Sequence, residues 1–164
     1  MRMEIRNDSV VIDGYVNAVE RDSCFIPSVR GKFKERIAPG AFQRSLDKAK
    51  NVDLLLNHDK NRKLGSTSEG NLELFEDNIG LRAICTINDP EVIEKARNNK
   101  LRGWSFGFYT NKDKWEEADG FQRRTVEDLD IFEVTIVDDT KLPAYIGTSI
   151  EVREEQNILT ETRG

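Results

Sequence analysis

The sequence holds one histidine, His58, so a reaction that needs an imidazole base at neutral pH must use this residue or none. Cysteine is nearly as scarce. Cys24 and Cys85 stand far apart and outside any C-x-x-C spacing, which excludes a disulfide framework and a zinc knuckle and leaves two free thiols as the expectation. A zinc site would have to rest on carboxylates, which structural and hydrolytic zinc sites rarely do, so neither a metal nor a cofactor is expected. Long apolar runs are missing too. Leu54 to Leu56 is typical of what there is, and the opening "MRMEIRNDSV" has no hydrophobic signal region. The expectation is a soluble cytoplasmic protein that engages no membrane. Nor is positive charge in excess: with 34% charged residues and a net charge of −5, a broad phosphate-binding surface would form against the overall field. Nucleic acid is not an expected partner.

What is present is a strand-rich pattern. The 164 residues suit one domain with a real core but are short for an α/β-hydrolase. "SVVIDGYVNAVE" sets β-branched residues around Gly14 as a bent or bulged strand would. In "FKERIAPGAFQRSLDKAK" Pro39 suits a first helical turn, and Phe42, Leu46 and Ala49 share one stripe, which predicts a short amphipathic helix. "VDLLLNHD", "KLGSTS", "NLELFED" and "GLRAICTI" read as strands of a meander, the last two joined at "EDNIG". "NDPEVIEKARNNK", with Asp89 before Pro90, acids first and bases last, predicts a second helix. Leu101 to Thr110, Gly120 to Val126 and Leu129 to Val137 read as further strands, with "NKDKWEEADG" as a polar tip between the first two. The predicted fold is mostly β, of the α+β kind. Residues 1–152 are expected to form the domain and residues 153–164, charged and weakly patterned, a flexible tail.

Three residues stand out as chemistry. "RGWSFGFYT" contains Gly103-Trp104-Ser105-Phe106-Gly107, a G-x-S-x-G word, but a nucleophile elbow needs a helix after the serine and a histidine downstream, and neither follows. Read as a strand, the stretch puts Trp104, Phe106 and Phe108 on a core face and Gly103, Ser105, Gly107 and Tyr109 on the other. Ser105 is then either a filler on the shallow side of a sheet or a hydroxyl with clearance, flanked by residues without side chains, that a peptide backbone can approach. His58 ends an apolar strand, as an edge histidine or a catalytic base. Glu133 is the single acid in the apolar "IFEVTIV" and is therefore expected either to be partly neutral or to have a partner, one of the many Arg and Lys residues or the His58 imidazole.

Four blocks taken in order resemble the prohead maturation proteases of tailed bacteriophages: "FKERIAPGAF", "VDLLLNHD", "RGWSFGF" and "DLDIFEVTIVDDTKLPAY". The resemblance runs to about Val152, with departures at Thr135, where Ser is common, and in "DDTKL" before Pro143. It implies that His58 and Ser105 are the catalytic pair, with Glu133 as the candidate third member and Asp59 and Asp130 as weaker ones. It also implies a likeness in fold to herpesvirus assembly proteases, a β-barrel of about six to eight strands flanked by a few helices. The implied substrates are the scaffold and the major capsid precursor, with self-cleavage and a homodimer as further expectations. The implied place of action is the assembling prohead in the host bacterial cytoplasm.

The chemistry expected is acyl transfer, with Ser105 attacking a peptide carbonyl and His58 carrying the proton. The oxyanion would be met by backbone N–H groups or by an arginine such as Arg124. The competing reading is a non-catalytic capsid assembly or scaffolding protein. An esterase of the α/β-hydrolase kind would need a histidine after Ser105, and the sequence has none there.

Overall fold

Alternation of apolar and polar residues is strongest at Val10 to Val16 and Gly80 to Ile87, and these segments pair as the centre of one sheet. In the computed structural model, which describes residues 1–28, 31–140 and 161–163, that sheet is built of β1 (Arg2–Ile5), β2 (Val10–Ala18), β6 (Leu72–Glu76) and β7 (Gly80–Ile87). Its order is β1-β2-β7-β6, antiparallel throughout. The bulge expected near Gly14 falls just after it, between Tyr15 and Asn17.

A second sheet contains β3 (Phe33–Ile37), β4 (Asp53–Leu56), β5 (Asp59–Ser66), β8 (Leu101–Ala118), β9 (Phe121–Asp138) and β10 (Glu161–Arg163). Its order is β10-β8-β9-β4-β5, and β3 lies parallel to the first half of β9. One apolar cluster draws on both sheets, with Ile12, Leu81 and Ile87 from the first and Leu54, Phe106, Phe108, Val134 and Ile136 from the second. The mostly β character agrees with the sequence. Among the described residues, however, the strands make two sheets and not the closed barrel that was expected, and the meander is interrupted. The chain leaves the second sheet after Ser66 and enters the first at Leu72. Asn71 stitches the crossing, donating to the carbonyls of Leu64 and Thr86 at 3.1 Å each.

β8 and β9 form one long hairpin. The stretch anticipated as a polar tip is strand as far as Ala118, because its charges find partners across the ladder: Lys112 meets Glu127 at 3.3 Å and Asp113 meets Arg124 at 2.7 Å. The turn is only Asp119-Gly120, with Ala118 across from Phe121. Helix α1 spans Ala41–Lys48, so Pro39 lies outside it, and helix α2 spans Pro90–Arg97 with the Asp89 carboxylate accepting from the Val92 N–H at 3.1 Å. Of the expected tail, residues 153–160 and 164 lie outside the described residues and Glu161–Arg163 forms β10.

Candidate active site

β9 organises the site because it pairs with strands on both sides. Along its second half, Glu133, Val134, Thr135 and Ile136 run parallel to Asp53, Leu54, Leu55 and Leu56 of β4, while Thr135 faces Ser105 of β8 and Glu133 faces Gly107. Side chains from three neighbouring strand positions are thus brought onto one face.

His58 arrives on a tight turn. Leu56 of β4 pairs with Asp59 of β5, which leaves Asn57 and His58 as a two-residue connection. Both have left-handed backbones, φ 53° and 58°, as a connection matching the strand twist requires. Asparagine and histidine tolerate this region better than most residues. β9 holds both: the Asn57 N–H donates to the Ile136 carbonyl and the His58 N–H to the Thr135 hydroxyl, each at 2.9 Å, and the Asp138 N–H donates to Asn57 Oδ1 at 3.1 Å. The imidazole leans back over the sheet.

Ser105 sits inside the first third of β8, not at a strand-to-helix turn, with Trp104, Phe106 and Phe108 packed into the core on the opposite face. Its hydroxyl lies 2.7 Å from His58 Nε2. His58 Nδ1 lies 3.1 Å from Glu133 Oε1. Where the Glu133 oxygen accepts from Nδ1, Nε2 is left to accept from the serine O–H. Glu133 is 5% exposed, and its second oxygen has no hydrogen-bond partner among the described residues.

The clearance expected around Ser105 exists on one side only. A β-carbon at Gly103 would meet nothing within 4 Å, whereas one at Gly107 would stand 2.7 Å from both Glu133 Oε1 and the Phe132 ring. The space above Gly107 is therefore already used by the acid and its neighbour. The weaker acidic candidates turn elsewhere: Asp59 accepts from the Asn61 N–H at 2.9 Å, and Asp130 pairs with Lys48 at 3.2 Å. Arg124 is removed as an oxyanion donor. It is across from Trp115, ten positions along β8 from Ser105, and binds Glu35 at 3.1 Å and Asp113 at 2.7 Å. The sequence had marked Thr135 only as a departure from a pattern, and it had not marked Asn57; the hydroxyl-to-turn contact depends on strand register, which a lone sequence does not carry.

The pattern of the caudovirus prohead serine protease family matches residues 1–162 of the chain. The chain belongs to that family. No curated protein and no solved structure matches it. A prohead serine protease is by class a peptide hydrolase of capsid maturation, acting in the assembling prohead within the host cell. Among the described residues of this one, no helix is long and apolar enough to cross a membrane, and no group of three or more His, Cys, Asp and Glu residues is arranged to hold a metal ion.

Proposed function

We propose that the chain is an endopeptidase in which Ser105 is the nucleophile, His58 the general base and then the general acid, and Glu133 the acid that orients the imidazole, and that it cleaves scaffold and major capsid precursor during prohead maturation. The observation that carries the reading is the 2.7 Å contact between His58 Nε2 and Ser105 Oγ. A serine hydroxyl is a weak nucleophile at neutral pH, and a hydrogen-bonded imidazole takes its proton as the bond to the peptide carbonyl carbon forms. The imidazolium then protonates the leaving amine. The acyl-enzyme is opened by water through the same base, which regenerates the serine. Glu133 holds the ring in the productive tautomer and offsets its transient charge. The negative oxygen of the tetrahedral intermediate is met by backbone N–H donors, Arg124 being engaged with Glu35 and Asp113.

Co-expression with the cognate precursor tests the reading. Ser105→Ala and His58→Ala are each expected to reduce processing by about 10⁴- to 10⁶-fold while leaving a folded chain. Precursor processed as well by both variants as by the unaltered chain overturns the assignment. A fluorophosphonate probe that labels Ser105 alone separates the enzyme from a scaffolding protein. Self-trimming belongs to the same proposal and is read by intact mass after prolonged incubation at high concentration.

A further inference from the structure

β8 has β9 along one edge; along the other it meets β10, three residues of this same chain. The pairing is antiparallel, with Glu161 across from Phe108, Thr162 from Gly107 and Arg163 from Phe106. Arg163 is therefore level with the residue next to Ser105, and the chain direction of β10 leads toward the serine. We infer that this edge is the subsite for substrate residues preceding the scissile bond, entered by an extended peptide whose C-terminal end runs toward Ser105, and that Glu161–Arg163 is an intramolecular occupant competing with substrate for it.

The inference rests on the serine-protease reading and adds to it a binding edge, a polarity and a competitor. A strand edge presents unpaired N–H and C=O groups that template an added strand. Here the side chains of Trp104, Phe106 and Phe108 are committed to the core, so what the edge offers is main chain. The ligand it fits is an unfolded segment of either capsid or scaffold protein, bound by its backbone in the plane of the sheet. An antiparallel peptide advances one residue for each residue of β8, so pairing at Phe108, Gly107 and Phe106 delivers the next carbonyl to the level of Ser105. The three-residue strand is short enough to be displaced, because so small a ladder has little independent stability. Tethering still gives it an effective concentration in roughly the millimolar range, enough to exclude dilute peptides but not a precursor packed at high density.

The test uses the full chain carrying Ser105→Ala, so that binding is read without turnover, with and without Glu161→Pro, Thr162→Pro and Arg163→Pro together. The prolines remove the backbone donors of β10 and leave the rest of the sequence intact. Hydrogen exchange of the Phe106, Gly107 and Phe108 amides is expected to quicken about tenfold in the proline variant, with the β2 amides as the control for folding. A synthetic peptide of the sequence NILTETR, that of residues 157–163, is expected to slow exchange again at millimolar concentration. A spin label at its C-terminus should broaden position 105 most, and one at its N-terminus the Asn111 and Lys112 amides. Equal exchange with and without the prolines, failure of the peptide to restore protection, or the opposite labelling pattern each overturns the inference. Fluorophosphonate labelling of the proline variant that retains Ser105 is read separately, so a serine that stays dark beside the freed edge refutes the catalytic reading and leaves the strand pairing standing.

Discussion

The Glu133 carboxylate can lie against His58 because Gly107, across the ladder, has no side chain. A β-carbon there would stand 2.7 Å from Glu133 Oε1 and from the Phe132 ring, closer than real contacts allow, so the acid or the ring would have to move. Gly107→Ala is therefore expected to lower peptide cleavage about 10²-fold, as misplacement of a catalytic group by an ångström does. Steady-state cleavage of a precursor-derived peptide, with the melting temperature measured beside it, checks this. Glu133→Gln keeps the shape but offers His58 Nδ1 a different partner and should cost about 10²- to 10⁴-fold, read in the same assay. The two cysteines make a simpler contrast. Burial pushes the Cys85 thiol up to about 12, whereas Cys24 is exposed. Iodoacetamide on the native chain should therefore modify Cys24 within minutes and reach Cys85 only after denaturation, as peptide mapping will reveal.

At the scale of elements, the Asn57-His58 turn depends on β9. Thr135 is buried, and its hydroxyl accepts the His58 N–H at 2.9 Å. Thr135→Val removes the acceptor at nearly constant volume and is expected to cost about 1–3 kcal/mol of stability, with a larger proportional fall in kcat than in KM. Thr135→Ser, which restores a hydroxyl, should rescue both. Helix α1 has no acid in its first turn; Glu76 of β6 supplies one, accepting from the N–H groups of Gly40 at 2.6 Å, Phe42 at 3.1 Å and Gln43 at 3.3 Å. Such devices are why the elements were legible and their joints were not. The 3.6-residue stripe around Phe42 and the Asp89 cap before Pro90 are local and could be read directly. The Glu76 cap and the Thr135 contact need the spatial meeting of segments distant in sequence. The charged half of β8 was misread because charge is a sign of loops until the partner strand is known, although the Asp119-Gly120 pair was an available hairpin signal.

For the whole molecule, two carboxylates tie distant parts together and set its behaviour in acid. Burial alone would raise the Asp138 carboxyl, but Lys95 of α2, Thr140 and Asn57 hold it at about 2. Asp22 is held at about 2 chiefly by Arg123, with Arg36 adding to it. Both lie below the ordinary 3.8, so the stability they contribute is present above that value and is lost as pH falls from about 4 toward 2. Each should account for on the order of 2 kcal/mol, and Asp138→Asn should flatten the pH dependence of urea unfolding across that interval. Ser105, His58 and Glu133 each stand out in one dimension, as a serine between glycines, a lone imidazole and an acid in an apolar run, but only the order of four blocks resembling a family grouped them. The division into two sheets could not be picked out, since nothing local in "KLGSTS" or "NLELFED" says which neighbour each strand will choose.

The order in which the three side chains occur along the polypeptide also has a temporal meaning. A chain on the ribosome that has emerged only as far as Gly120 already contains the imidazole and the hydroxyl, yet it lacks β9, the strand on which the His58 turn rests and from which Glu133 projects. On the proposed reading, hydrolytic competence is thereby withheld until β9 has emerged and paired, which gives the host cell's other polypeptides a built-in delay before this one can cut.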